Sequence, residues 1–141
     1  MAWSDNYIGF KYKYGSFDRA EGTDCRTLIT LMLKEVFQYD VDLEKDIPKD
    51  FFKKDADYMI KEAVKRGEIV KDINKIKKYD ILFFHFDGDV RHMGMVIDDY
   101  KTFIHQMREG NSRLDKLIKP VWTDNFYCGV RVKAIHVGPK V

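Results

Sequence analysis

This chain of 141 residues predicts an α+β fold in which helices lead and an antiparallel β meander follows. Three observations carry that prediction. Residues 22–37 form the longest apolar-rich run without an internal Gly or Pro, and their apolar side chains recur at helical spacing. The second half of the chain turns instead to short apolar or alternating runs separated by turn residues. Hydrophobic residues make up 45% of the chain and aromatics 14%, enough to fill one core, so a single domain over residues 1–141 is expected.

The elements follow in order. Residues 8–24 place Gly9, Gly15 and Gly22 among aromatics that include Tyr12 and Tyr14, a composition suited to an ordered loop that approaches something closely. Gly22 and Asp24 then stand as turn and N-cap of the first helix. Residues 40–50 are acidic and contain Pro48, which reads as a connection. A second helix is predicted over 54–66, with Ala56, Met59, Ile60, Ala63 and Val64 as its apolar stripe and Gly67 as its stop. The Lys-rich residues 71–78 read as a solvated face. Residues 80–86 predict a buried strand, 87–89 a turn, 91–97 and 102–107 the next two strands, and 130–135 a strand with one wet face.

Composition narrows the function classes. Charged residues are 34% of the chain but nearly balanced at +2, without the basic stripe that nucleic-acid binding requires. The two cysteines, Cys25 and Cys128, are too few for a disulfide scaffold and predict free thiols. Residues 1–6 lack the basic, apolar and small-residue order of a secretory leader, and no run approaches the roughly 20 apolar residues needed to cross a bilayer. A product made in the cytoplasm without a signal peptide and not inserted in a membrane is the expectation.

Cys25 falls in the first turn of the first helix, where unpaired amides and the helix dipole favour a thiolate, making it a candidate nucleophile. Of the four histidines, His85 lies inside a strongly apolar run and reads as a packed residue, while His136, near the C-terminus, reads as exposed. His92 opens a strand directly after a turn, and His105 lies on the next strand, where antiparallel pairing can set the two side by side. Thiol hydrolysis needs a sulfur, an imidazole to take and return its proton, and a polar group to orient that imidazole. The order Cys25, His92, His105 is the papain-like one. A metal held by the same three residues is the alternative, although no close pair of ligand-type residues supports it.

Several motifs together resemble the NlpC-type family of cell-wall cysteine peptidases. They are Tyr12-Lys13-Tyr14-Gly15-Ser16, Gly22-Thr23-Asp24-Cys25-Arg26-Thr27-Leu28, Tyr79-Asp80-Ile81-Leu82-Phe83-Phe84, His92-Met93-Gly94-Met95-Val96 and Phe103-Ile104-His105, with Trp122 and Gly129-Val130-Arg131-Val132 resembling the closing strand. They keep the family's order from about residue 12 to residue 132. The resemblance implies a papain-like α+β fold, with Cys25 as nucleophile, His92 as general base and acid, His105 as its orienting group and Tyr12 in the substrate site. It further implies hydrolysis of peptide bonds in peptidoglycan stem peptides, with no cofactor and no metal. Two departures stand beside the nucleophile, where Arg26 and Thr27 replace the family's Ser and Gly. Arg26 could lower the thiol's pKa or bind a substrate carboxylate, a role that Arg91 or Lys13 could share. Residues 35–41 resemble the phage tail-tip versions, which implies a virion component with other tail proteins as partners; a secretion-system effector is the other setting the resemblance allows. Two activities compete with peptidase on this scaffold: a catalytically weak structural or wall-binding part, and an acyltransferase or other amidase.

Overall fold

Asp24 starts the first helix, α1 (Cys25–Glu35), through a reciprocal cap. Its carboxylate accepts the amide protons of Arg26 and Thr27, at 2.9 and 2.7 Å, while the Thr27 hydroxyl accepts from the Asp24 amide at 2.8 Å. The cap leaves Cys25 as the first helical residue. Gly22 has φ +128°, and a Cβ there would stand 2.2 Å from the Lys11 carbonyl oxygen, so only glycine lets the loop close against residues 11–13 before the helix begins. The computed structural model describes residues 3–39, 65 and 67–140. The connection predicted over 40–50 and the helix predicted over 54–66 lie outside the described residues, apart from Lys65.

Six strands follow: β1 (Glu68–Val70), β2 (Ile81–Phe86), β3 (Asp89–Val96), β4 (Thr102–His105), β5 (Arg113–Lys116) and β6 (Phe126–Arg131). They form one sheet in the order β1-β6-β2-β3-β4-β5, with every pairing antiparallel. β2 to β5 are the predicted meander extended by one strand, and β6 returns to pair on the other side of β2. The fold class is therefore the α+β arrangement that the sequence predicts.

Alternation along β2 explains why the sheet is buried on both faces. Ile81 and Phe83 point to the layer filled by Leu28, Ile29 and Met32 of α1, together with Met93, Met95 and Ile104. Leu82 and Phe84 point the other way, to Val96, Phe103, Leu117 and Trp122. Burying each of the three α1 side chains contributes about 2 kcal/mol, which seats the helix, and hence Cys25, firmly on β3 and β4.

Three sequence expectations are corrected. The strand predicted over 130–135 runs instead over Phe126–Arg131, and residues Lys133–Ile135 turn into a short 3-10 helix that buries Ile135. Strands β1 and β5 were not predicted. β5 carries charge on three of its four residues, Arg113, Asp115 and Lys116, and lies at the sheet edge, where charge discourages further pairing. Trp122 sits on a short helix, α2 (Pro120–Thr123), with Pro at its start, rather than on the closing strand. Within the Lys-rich residues 71–78 the lysines stay outside, but Ile76 is buried against the sheet.

Candidate active site

The first turn of α1 meets the middle of β3 at one end of the sheet. There the backbone amide of Met93 points at the Cys25 sulfur, which brings the thiol beside His92, the preceding residue on β3. Cys25 and His92 line one open cleft of about 400 Å³, together with Tyr12, Arg26, Arg91 and Arg108. Cys25 is partly exposed and His92 buried.

His92 and His105 are held together by strand geometry. In the β3–β4 register it is Gly94 that faces His105, so His92 lies diagonally, two residues away on the same face, rather than directly opposite. Gly94 makes the close approach practicable: a Cβ there would stand 2.9 Å from the Ile104 carbonyl oxygen and from the Phe103 ring, and 3.3 Å from the His105 Cβ. His92 Nε2 and His105 Nδ1 are consequently 2.9 Å apart. Trp122 stacks on the His92 ring at 5.7 Å between centroids and meets the His105 ring edge-on at 4.8 Å, so both imidazoles have one allowed plane.

The chain of hydrogen bonds continues to a residue that sequence reasoning missed. His105 Nε2 lies 2.9 Å from Asp115 Oδ2, and Asp115 is itself held by Arg113 Nε at 3.1 Å and Lys119 Nζ at 2.9 Å. Burial alone would raise the Asp115 carboxyl, but hydrogen bonds from Lys119, His105 and Arg113 outweigh it and hold it at about 2. An ionised Asp115 can only accept, so His105 carries its proton on Nε2 and its Nδ1 accepts from His92 Nε2–H. Nδ1 of a neutral His92 is then the one ring nitrogen left to take a proton. The signal for Asp115 was available only through β5: a charged tetrapeptide reads as solvated surface until its pairing with β4 sets Asp115 two residues from the partner of His105.

Electrostatics overturn one expectation. Removal from water pushes the Cys25 thiol up to about 12 and the Asp24 carboxylate adds to this; the Met93 amide, the Arg26 charge and the Arg26 amide pull down without prevailing. Burial likewise holds the His92 imidazole down at about 3, with His105 and Arg113 contributing. The helix N-terminus was expected to favour a thiolate, but desolvation of a sulfur beside a buried carboxylate is the larger effect. The resting pair is thiol and neutral imidazole, and the proton moves when the sulfur attacks.

The remaining predicted residues fall as follows. Tyr12 lines the cleft near the sulfur; burial raises its phenol, a hydrogen bond from Arg108 opposes this, and Asp24 and Cys25 add to the rise. Its segment is anchored by Gln106, also unpredicted, whose Oε1 accepts from the Thr23 hydroxyl at 2.8 Å and whose Nε2 donates to the Phe10 carbonyl at 3.1 Å. Arg26 lines the cleft but is 7% exposed, and its Nη1 has no hydrogen-bond partner. Of the two further cations named for substrate carboxylates, Arg91 lines the cleft and Lys13 is paired with Glu21 outside it. His85 is half-buried against Tyr127, and His136 is bonded through Nε2 to the buried Asp80 at 2.9 Å rather than freely exposed. Among the described residues no three His, Cys, Asp or Glu side chains are grouped to hold a metal ion, and no helix is long and apolar enough to cross a membrane.

A family model described as the NlpC/P60 family matches residues 9–131. Among solved structures, the NlpC/p60 domain of the peptidoglycan hydrolase SagA is similar at 18% identity and a TM-score of 0.61, with 92% of each chain covered. An NlpC/P60 family protein from Bacillus cereus has 19% identity and a TM-score of 0.61 over 93% of this chain and 40% of its own. A lipoprotein-like protein of the NLP/P60 family from Staphylococcus aureus has 18% identity and a TM-score of 0.60 over 91% and 39%. This chain thus spans about two-fifths of the last two. No curated protein matches it significantly.

Proposed function

Since the chain belongs to the NlpC/P60 family, we propose that it is a cysteine peptidase that hydrolyses peptide bonds in the stem peptides of peptidoglycan, with Cys25 as nucleophile. The observation that carries this reading is the relay His92–His105–Asp115, two contacts of 2.9 Å ending beside the sulfur in one open cleft. A hydrolase of the same fold acts on peptidoglycan, as the description of SagA states.

The steps follow from the proton positions. The Cys25 sulfur attacks the scissile carbonyl carbon while His92 Nδ1 takes the S–H proton, and His105, fixed by Asp115, stabilises the imidazolium that forms. The Cys25 amide, first in α1 and without an intrahelical acceptor, is the donor for the oxygen that becomes negative, and Tyr12, which lines the same cleft, is the candidate second donor. Collapse breaks the C–N bond, the amine leaves with the proton from His92, and a thioester remains on Cys25. Water, deprotonated by His92, then attacks the thioester; the acid is released and the thiol regains its proton.

Purified protein incubated with cell-wall fragments should release new amino termini, and Cys25→Ala should stop the release while circular dichroism and melting temperature stay unchanged. A second reading, a wall-binding part with little turnover, is favoured by the raised thiol and by Arg26 in place of a small residue. It requires that wild-type protein bind fragments and release nothing. We further propose delivery on a phage tail, supported by the resemblance of residues 35–41 to tail-tip members. Purified virions should contain the chain; its presence solely among secreted proteins would overturn that setting.

A further inference from the structure

We propose that a second pocket, at the end of the sheet away from the Cys25 cleft, binds a phosphate group. This pocket, of about 320 Å³, lies where the start of β2, the turn between β3 and β4 and the C-terminal segment meet, and it shares no lining residue with the cleft. Helix α1 separates the two. Cys25 opens the helix at the cleft, and Phe37, just past its last turn and roughly 16 Å of helix away, packs edge-on against Tyr79 of the pocket wall at 5.2 Å between ring centroids. Lys77 and Lys78 bring to the pocket the end of the Lys-rich run whose composition predicts a solvated face, and Lys101 and His136 complete its positive side.

Charge pairing leaves two ammonium groups in excess. Of the two carboxylates on the pocket, Asp98 is spent on the turn: its Oδ1 accepts from the Tyr100 and Thr102 amides at 2.9 and 3.0 Å, and the Lys116 charge offsets its own. Asp99 stands 3.9 Å from Lys78. Lys77 and Lys101 have no carboxylate partner among the described residues. Lys101 is the better placed of the pair, because it is half-buried and its Nζ donates to the Ile73 carbonyl at 3.2 Å, which fixes the ammonium with N–H groups to spare. His136 is held at the wall by its bond to Asp80, and the Lys78 ammonium lies 5.4 Å from the Tyr79 ring centroid. Tyr79 and Lys101 both have left-handed backbone, φ +73° and +59°, a strain that persists where the surrounding structure over-determines it and that gathers at ligand sites. Two unbalanced ammonium groups match the charge of one phosphate monoester or of two successive phosphodiesters. Lysine meets such an oxyanion as a point charge, whereas a carboxylate is matched by a guanidinium fork, and no arginine is among the described residues that line the pocket.

The test is calorimetric titration of the whole chain with inorganic phosphate, with poly(glycerol phosphate) and with polyglutamate of matched length. At least one phosphate form should bind saturably, and polyglutamate should bind about tenfold more weakly than the tighter of them. Tighter binding of the polymer supports the site with a phosphodiester chain as its source, and tighter binding of inorganic phosphate supports it with a small phosphorylated molecule as its source. Lys101→Gln should weaken the tighter phosphate form about tenfold, and Lys77→Gln, at an exposed position, about threefold. Two variants guard against a folding defect in one. Lys13→Gln removes the same charge beside Glu21, outside the pocket, and should leave the affinity within about twofold. Cys25→Ala should bind phosphate as wild type does, so failure of the peptidase reading leaves this result standing. Saturable binding of neither phosphate form, equal binding of polyglutamate, or an affinity unchanged in Lys101→Gln overturns the proposal.

Discussion

Alkylation of Cys25 as a function of pH should expose the neutral thiol–imidazole pair. With the thiol pushed up to about 12, the thiolate fraction at pH 7.5 is roughly three orders of magnitude below that of a free cysteine, whose pKa is about 8.5. A more basic thiolate is also more nucleophilic; a Brønsted slope of about 0.4–0.5 over that difference returns roughly 30-fold. Iodoacetamide should therefore modify Cys25 about 100-fold more slowly than it modifies glutathione at pH 7.5, and the rate should climb about tenfold per pH unit from pH 6 to pH 9. Mass spectrometry of the tryptic peptide spanning residues 20–26 gives the rate directly, and Cys128, buried in β6 out of the reagent's reach, serves as the unreactive internal comparison. A rate that is flat between pH 5 and pH 8 would mean a preformed thiolate–imidazolium pair and would refute the assignment of a neutral resting state.

The remaining predictions concern the relay and its supports. Asp115→Ala leaves His105 Nε2–H without its acceptor, which should lower kcat by about 5- to 150-fold with KM within about twofold, whereas Asp115→Asn, which keeps an acceptor oxygen, should stay within about tenfold of wild type; equal losses in both would make charge rather than tautomer the property of Asp115 that matters. The Asp115 carboxyl titrates at about 2 in the folded chain, below its unfolded value, so its contribution of about 2 kcal/mol is present above pH 4 and lost as pH falls through 2, and Asp115→Asn should flatten the melting curve in that window. His92 also has a depressed folded pKa, about 3, but it is a base: the unfolded chain binds the proton first, so stability should decline as pH falls from about 6.5 towards 3, and His92→Gln should remove that slope. Gly94→Ala places a methyl 2.9 Å from the Ile104 carbonyl and the Phe103 ring, which should cost about 1–3 kcal/mol in urea unfolding and lower activity by parting the two histidines; unchanged stability would show that β3 and β4 can separate freely.

Legibility in the sequence followed the range of the interactions concerned. The Asp24 cap with Cys25 directly after it is local, and Gly22, Asp24 and the apolar spacing of 22–37 displayed it in full. The meander of β2 to β4 was equally readable, because its turns are short and its faces apolar. β5 was not, since Arg113-Leu114-Asp115-Lys116 has the composition of surface, and the value of Asp115 arises only when an edge strand sets it beside His105. Gln106 and Arg108 escaped notice for the same reason: their partners, Thr23 and Tyr12, are more than eighty residues away in the chain. The sign of the thiol's perturbation was misjudged because helix position is visible in a sequence, whereas the desolvation that outweighs it depends on what covers the sulfur.

The most direct test of the account is the mass of the peptide spanning residues 20–26 after acid quenching of the protein during turnover of a slow stem-peptide substrate. It should rise by the acyl portion of the substrate in wild type and in no sample of Cys25→Ala, which should also form no product. Products that accumulate in both proteins while that peptide keeps its unmodified mass would contradict the claim that Cys25 carries the reaction.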